Sequence, residues 1–309
     1  MNSLPMDDQR LTQPASFPKI LCRPAAQDDR EDVLEFCKGI WEGEDYIHLV
    51  WDDWFQDPDG LLAVAEYEGH AIGCSKISRI SSGQWWLEGF RVDPKYQGLK
   101  VGTQLHSHVT QWWLANGEGI LRLMTDAGNF AVHHLCDQTG YTKIGEVCGY
   151  RAVPLEEPTD SFSPVIETEE AAAFALESDS IKATGGLTDL GWRICKPDQQ
   201  VFKTYTNQNP EYIHNFYWWK DHQGLFSAWE EEDNGRRTLF LGIVACALSD
   251  MPRLLTAIRR FAADKNCHSI FQIAFDLPQI TSRLLAAGFE KRWKRSNAFV
   301  FEKIHPGRA

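Results

Sequence analysis

The segment at residues 90–105 constrains the fold more than any other part of this chain. Its sequence, FRVDPKYQGLKVGTQL, begins as a β-strand, turns at Asp93-Pro94 and continues into an amphipathic helix. The first backbone N–H groups of a helix have no intrahelical partners, and the glycines Gly98 and Gly102 would let an anion approach them closely. The pattern therefore predicts a strand–loop–helix unit. Its glycines serve either anion binding or only the geometry of the turn.

Hydrophobic periodicity extends this unit into an order of strands and helices that occurs twice. In the first half we predict strands at 20–22, 61–66, 71–78, 85–92 and 120–124, a helix whose apolar residues recur from Val33 to Trp41, and helices at 101–116 and 129–138. In the second half we predict strands at 239–248 and 269–275 and helices at 252–265 and 278–287. Helices in the two halves end at Gly140-Tyr141 and Gly288-Phe289, which lie 148 residues apart. This spacing favours duplicated domains.

The chain of 309 residues is long enough for two domains. Three prolines in RAVPLEEPTDSFSP, at positions 154, 158 and 164, are typical of a linker. We predict a disordered tail at 1–18, a first domain at 19–154, a linker at 155–163 and a second domain at 164–309. The first 154 residues carry 22 acidic against 13 basic side chains, so most of the net charge of −12 lies in the first domain.

Composition excludes several classes of function. The acidic charge disfavours a nucleic-acid binder, and the apolar runs are too short for a transmembrane helix. The eight cysteines form no C-x-x-C pair, which predicts reduced thiols and a cytoplasmic protein. Histidine pairs such as His106-x-His108 do not share a helix face, so we expect no metal site.

The segment at 90–102 resembles motif A of the GNAT superfamily of N-acetyltransferases, with Gln97 and Gly102 at motif positions. Asn129, Leu135 and Gly140-Tyr141 have the spacing of its motif B. The sequences of the segments at 45–58 and 87–92 are similar to those of the animal histidine N-acetyltransferase-like group. The resemblance implies an α+β fold with a mixed sheet. It also implies a tandem GNAT-like acyl-CoA N-acyltransferase fold, in which the second half is a degenerate copy of the first.

The resemblance also assigns residues to the donor, acetyl-CoA. The motif A loop would hold the pyrophosphate through the main chain of Gln97, Gly98, Leu99, Lys100, Val101, Gly102 and Thr103. The backbone of Phe90, Arg91 and Val92 would pair with the pantetheine arm, and the Asn129 side chain would bond the donor. Lys100 stands where the family has a small residue. The second half has no glycine in the corresponding loop at 247–253, so we expect it to bind no CoA.

Catalysis requires a base for the amine and an acid for the departing thiolate. Glu88 is the candidate base, because strand alternation places it on the same face as Phe90; the alternative is an exposed strand glutamate. Tryptophan neighbours would raise its pKa by desolvation. Cys136 occupies the position where the family often has an acidic tyrosine, and the alternative is simple packing. Tyr46, His48 and Trp86 would contact the acceptor, unless such aromatic groups serve packing.

The function expected from these features is transfer of an acetyl group from acetyl-CoA to a small-molecule amine, for example an amino acid such as histidine. The protein would act as a monomer or a homodimer, with the second half closing the acceptor pocket. Two alternatives stay open at this point. One is a CoA-sensing pseudoenzyme or scaffold, and the other is acetylation of protein amines.

Overall fold

The computed structural model describes residues 19–40, 45–158, 160–207, 215–292 and 297–307, so the expected tail at 1–18 lies outside the described residues. The first half contains strands β1 (Leu21–Pro24), β2 (Leu61–Tyr67), β3 (His70–Ser81), β4 (Gln84–Val92), β5 (Ile120–Asp126) and β6 (Thr142–Ala152). Its helices are α1 (Asp29–Cys37), α2 (Ile47–Gln56), α3 (Val101–Asn116) and α4 (Phe130–Gln138).

The second half begins with strand β7 (Phe162–Pro164) and two helices. Its strands continue with β8 (Thr188–Asp189), β9 (Ile194–Cys195), β10 (Asn215–Trp219), β11 (Gly224–Asp233), β12 (Arg236–Cys246), β13 (Ser269–Phe275), β14 (Glu290–Lys291) and β15 (Ala298–Ile304). Its helices are α5 (Thr168–Glu177), α6 (Asp179–Lys182), α7 (Gln199–Asn207), α8 (Met251–Asp264) and α9 (Pro278–Ala286). In the described ranges, none of the helices is long and apolar enough to cross a bilayer.

Most strands join one mixed sheet, in the order β1-β2-β3-β4-β5-β15-β6-β13-β12-β11-β10-β7, with β14 beside β6. The α+β class with a mixed sheet is therefore confirmed. Strand β15, at the end of the chain, lies between β5 and β6 of the first half and pairs antiparallel with both. Strand β6 in turn pairs with β13 of the second half. The sheet thus continues from one side of the expected linker at 155–163 to the other.

The two halves repeat the same local order. A shift of 148 residues carries α4 (Phe130–Gln138) onto α9 (Pro278–Ala286), and each helix is followed by a glycine with a positive φ, 75° at Gly140 and 78° at Gly288. Both halves also place a long helix between two parallel strands, α3 between β4 and β5, and α8 between β12 and β13. The duplication expected from the Gly-aromatic spacing is present in the structure.

Helix α3 shows how the sequence pattern produces the core. Its side chains at every fourth position, Val101, Leu105, Val109 and Trp113, are almost fully buried against the sheet. Trp113 is the last residue of this stripe, whereas the neighbouring Trp112 is only partly buried. The eight cysteines form no disulfide, and seven of them are buried.

Helix α2 is the main element that the sequence analysis missed. Its apolar residues Ile47, Val50, Trp51 and Trp54 recur at helical spacing and are buried, so the signal was present. We had interpreted that segment as a source of acceptor contacts. The first helix also ends earlier than expected, at Cys37.

Candidate functional site

Strands β4 and β5 separate after a short stretch of pairing. They run parallel with pairs only at Gln84–Ile120, Trp85–Leu121 and Trp86–Arg122. Beyond these pairs a cavity of about 1550 Å³ opens, with residues 87–92 of β4 on one wall and residues 123–126 of β5 on the other. A strand edge without a neighbour can accept an extended ligand as an added strand. The backbone of Phe90, Arg91 and Val92 lies on this wall, where the sequence analysis expected a ligand.

A β-bulge at Gly89 shapes this wall. The register of β4 against β3 shifts between the Arg91–Cys74 and Glu88–Lys76 pairs, so β4 contains an extra residue there. Gly89 has a φ of 61°, and a Cβ atom at this position would lie 2.4 Å from the Trp54 ring. Only glycine fits both constraints. The bulge interrupts strand alternation, so the argument that placed Glu88 and Phe90 on one face was wrong, although both residues line the cavity.

The loop of motif A leads from β4 into α3 as a helix start. The Asp93 carboxylate accepts a hydrogen bond from the Lys95 backbone N–H at 2.9 Å and fixes the turn after the strand. Lys100 precedes the helix in the left-handed conformation, with a φ of 61° and a ψ of 19°. The Gln104 N–H then bonds the Lys100 carbonyl at 3.1 Å, so the N–H groups just before Gln104 precede the first intrahelical bond. This is the local geometry of an anion-binding helix N-terminus.

The seven residues expected at the pyrophosphate lie together at this helix start. Gln97 also lines the cavity, whereas the positions from Gly98 to Thr103 continue along the beginning of α3. Gly102 faces the strand: a Cβ atom there would lie 3.5 Å from Phe90 Cζ and 3.7 Å from Val92 Cγ2. Its small size therefore also permits close packing of α3 on β4.

Glu88 forms an ion pair with a residue of the second half. Its Oε1 atom accepts a hydrogen bond from Arg193 Nη2 at 2.7 Å and from Ser78 Oγ at 2.8 Å, and Arg193 Nε lies 3.3 Å from Oε2. The side chain retains 13% of its exposure. Glu88 is therefore neither an exposed strand glutamate nor a carboxylate surrounded only by tryptophans, since Arg193 compensates its charge.

The second half supplies one side of the cavity. Leu190, Trp192, Arg193 and Tyr205 line it opposite strand β4. The second half therefore contributes part of the cavity wall. Arg193 and Tyr205 could not be predicted from the sequence, because neither belongs to a motif and both reach the cavity only through tertiary packing.

Asn129 is the N-cap of helix α4. Its Oδ1 accepts from the Val132 N–H at 3.4 Å, and its Nδ2 donates to Thr125 Oγ1 at 3.0 Å. Asparagine at an N-cap satisfies a backbone donor that the helix leaves without a partner. Asn129 lines the cavity as expected, and the contacts of its amide group stabilise the helix start.

Cys136 does not fit the role of a general acid. It has no exposed surface, packs in the core of the first half with Leu105 and Tyr141, and is not among the described residues that line the cavity. Burial, with a smaller contribution from Asp137, raises the pKa of its thiol to about 12. Such a thiol is too weak an acid to protonate a thiolate. The packing alternative for this residue agrees with the structure.

The three expected acceptor residues fall into different environments. Tyr46 lines the cavity at the start of α2, with the Arg91 guanidinium 5.6 Å above its ring. Trp86 also lines the cavity and is 3% exposed. His48 is exposed, its Nδ1 lies 2.8 Å from the Asp45 carbonyl oxygen, and it is absent from the described cavity lining. Helix α2 thus turns His48 away from the described cavity lining, unlike Tyr46 and Trp86.

His106 is a cavity residue that the sequence analysis considered only as a metal ligand. It lies on α3, is 2% exposed, and its Nε2 is 3.0 Å from Thr139 Oγ1. Burial, followed by the charge of Lys303, lowers its pKa to about 4. The imidazole is therefore neutral near pH 7.

Solved structures share this fold. The chain superimposes on a GCN5-related N-acetyltransferase from Sphaerobacter thermophilus with a TM-score of 0.60 and 13% identity, covering 93% of this chain and 96% of that one. It also superimposes on a tandem GNAT protein from the clavulanic acid biosynthesis pathway, with a TM-score of 0.60 and 12% identity, covering 94% and 100% of the two chains. The predicted tandem GNAT-like fold is thus confirmed.

Sequence comparison then shows what the first half is similar to. Residues 27–141 match the model of the acetyltransferase (GNAT) family. A segment of 88 residues, 28% of this chain, is 32% identical to the human probable N-acetyltransferase 16, and a segment of 78 residues, 25% of this chain, is 30% identical to histidine N-acetyltransferase from Xenopus tropicalis. The matched part spans about a quarter of each relative, 24% in both cases.

Proposed function

We propose that this protein is an acetyl-CoA-dependent N-acetyltransferase that acts on a small-molecule amine, for example an amino acid such as histidine. The observation that carries the proposal is the gap between β4 and β5, which opens beside the helix start of a GNAT-family segment. The relatives named histidine N-acetyltransferase support the choice of acceptor to test first.

The residues at the gap fit the donor substrate. The main chain of residues 97–103 would bind its pyrophosphate at the α3 N-terminus, and the Lys100 ammonium adds positive charge there. The backbone of Phe90, Arg91 and Val92 would bind the pantetheine arm along the open edge of β4. Acetyl-CoA supplies the activated acetyl group when bound.

Glu88 is the residue that we propose to accept the proton of the amine, directly or through a water molecule. A carboxylate has about four lone-pair positions, so Glu88 can accept from Arg193 and Ser78 and still receive a further hydrogen bond. Arg193 holds the carboxylate in one orientation at the cavity wall. Because Cys136 is buried away from the cavity, the thiolate that leaves would be protonated by solvent.

The second half has a different role in this proposal. Its strands β12 and β13 also pair in parallel only at the start, up to Leu241–Gln272. Beyond that point the Ser180 hydroxyl accepts from the Cys246 N–H and donates to the Val244 carbonyl, both at 3.0 Å. A side chain of the same half thus occupies backbone groups of β12 where an added strand would bind. We infer that this half binds no CoA and instead shapes the acceptor pocket.

The test is release of CoA from acetyl-CoA in the presence of a panel of amino acids and simple amines. We expect turnover with at least one small amine, and Glu88→Gln should lower kcat by about 10²- to 10⁴-fold without loss of CoA binding. The control is Glu118→Gln, an exposed carboxylate paired with Arg79, which should leave kcat unchanged. Binding of acetyl-CoA without transfer to any of these amines would contradict the proposal.

A CoA-sensing pseudoenzyme is the second candidate, because the position expected for the acid holds a buried cysteine. It predicts that acetyl-CoA raises the melting temperature, that no amine is acetylated, and that Glu88→Gln leaves the affinity for acetyl-CoA unchanged. The same two measurements therefore separate the candidates.

A further inference from the structure

We propose that Arg193, contributed by the second half, binds a carboxylate on the acceptor, so that the preferred acceptors are amino acids and not simple amines. This inference rests on the proposed acetyltransferase function and assigns the determinant of its specificity. Arg193 lines the cavity together with Glu88, the residue that would receive the proton of the amine.

The contacts of Arg193 leave room for a second anion. Its Nε and Nη2 face the two oxygens of Glu88, at 3.3 Å and 2.7 Å, and its Nη1 lies 3.3 Å from the Tyr205 hydroxyl. The described residues thus take three of the five N–H donors that a guanidinium offers. The side chain remains 28% exposed at the cavity. Arginine is well suited to bind a carboxylate, because its planar donors match the two oxygens.

The backbone fixes Arg193 in this position. Strands β8 and β9 form a hairpin whose two central residues, Gly191 and Trp192, both have a positive φ, 63° and 68°. This combination is a type I′ turn, closed by a bond of 2.8 Å from the Leu190 N–H to the Arg193 carbonyl. Asp189 is buried at the base of this turn, and burial raises the pKa of its carboxyl well above the ordinary value.

The conformation of Trp192 suggests a reason beyond folding. A non-glycine residue of this size rarely adopts a positive φ, because its Cβ atom then lies too close to the following carbonyl oxygen. The Trp192 ring is held by stacking on Phe271, with the ring centroids 5.7 Å apart. Strained residues concentrate at ligand sites. Here the strained turn places Trp192 and Arg193 at the cavity opposite the open strand edge.

The charges of Glu88 and Arg193 match those of an amino acid. A zwitterion carries an ammonium and a carboxylate on neighbouring atoms, so its ammonium can face Glu88 while its carboxylate faces Arg193. Binding then adds favourable charge pairs without leaving a charge uncompensated. An amine that lacks the carboxylate offers only a cation, which gains nothing from Arg193 and is repelled by it.

The location of Arg193 argues against a role in binding the donor phosphates. Arg193 contacts Glu88, which lies in the middle of β4 and precedes the bulge at Gly89, whereas the expected pyrophosphate loop at 97–103 follows the C-terminal end of this strand. The two positions therefore lie at different ends of the cavity wall, and the second half closes the end that holds Glu88.

The experiment measures binding of two amino acids and their decarboxylated amines to the full chain in the presence of CoA. The pairs are histidine with histamine, and leucine with isopentylamine, by calorimetry. We expect at least one amino acid to bind about 10- to 150-fold more tightly than its amine, the range for a hydrogen-bonded charge. Arg193→Met should abolish this difference, and Arg193→Lys should retain part of it. Arg253→Met, an exposed site that removes the same charge, should retain the full difference.

Three results would overturn the assignment: equal binding within both pairs, an unchanged preference in Arg193→Met, or no binding of either amino acid. If Arg193→Met fails to fold, the wild-type comparison of histidine with histamine and histidine methyl ester decides the question. Turnover is measured separately. Arg193-dependent binding of an amino acid without acetyl transfer would refute the proposed function and leave the carboxylate site in place.

Discussion

The ion pair between Glu88 and Arg193 connects the two halves of the chain, and its strength can be measured. Two unit charges about 4 Å apart interact by about 4 kcal/mol at an effective dielectric constant of 20. The side chains keep 13% and 28% of their exposure, so solvent screening and desolvation reduce this value. We expect a coupling free energy of about 1–3 kcal/mol in stability.

The assay is a double-mutant cycle of urea unfolding with Glu88→Met, Arg193→Met and the double variant. Methionine is used because a glutamine at position 88 would still accept from Arg193. Each single variant leaves one charge without its partner, so the double variant should be less destabilised than the sum of the two. The pair Arg79–Glu118, 3.1 Å apart and 35% and 43% exposed, serves as the matched control. Exposed pairs of this kind couple by less than about 1 kcal/mol. A Glu88–Arg193 coupling no larger than that of the control pair would refute this reasoning.

Three further predictions follow from the loop, the last strand and the buried histidine. A Cβ atom fits at Gly102, but the branches of a valine side chain would meet Phe90 and Val92. Calorimetry should therefore show an unchanged CoA affinity for Gly102→Ala and an affinity lowered at least about tenfold for Gly102→Val. Equal affinities of the two variants would contradict the placement of the loop. Deletion of residues 297–309 removes β15 and uncovers the edges of β5 and β6, so circular dichroism should show loss of cooperative unfolding. Cooperative unfolding of the first half in the shortened chain would contradict this role of β15. His106 has a folded pKa of about 4, below its unfolded value, so its contribution is present above pH 6.5 and is lost as the pH falls toward 4. Urea unfolding should show about 2 kcal/mol of this loss between pH 7 and pH 5 in the wild type, and not in His106→Gln.

Local pattern was sufficient for much of the fold. The strand–turn–helix at 90–105, the hairpin of β2 and β3 and the repeat at α4 and α9 were predicted from periodicity, turn residues and glycines. These signals lie within a few residues of the structure that they specify. The prediction missed helix α2, because its residues carry two patterns at once. Their aromatic side chains suggested a binding surface, whereas their helical spacing places them in a core.

The expected donor site comes from one continuous segment. Local pattern was therefore enough to predict that the strand at 87–92 leads into the helix start at 97–103, and the role of these residues in binding the donor stays a prediction. The general acid was wrong, because burial of Cys136 depends on how α4 packs against α3 and not on its own neighbours in the sequence. The exposure of His48 could not be predicted for a corresponding reason, since the rotation of α2 about its axis decides which side chains face the cavity.

The sequence by itself determined the class of fold, the duplication and the position of the expected donor loop, because these features depend on contacts between residues close in the chain. Only the tertiary structure decided three other features. It placed β15 between β5 and β6, formed a β-bulge at Gly89, and brought Arg193 to Glu88 across 105 residues of sequence. Strand exchange and ion pairing between the halves depend on which surfaces meet when the chain collapses, and no local pattern encodes that choice.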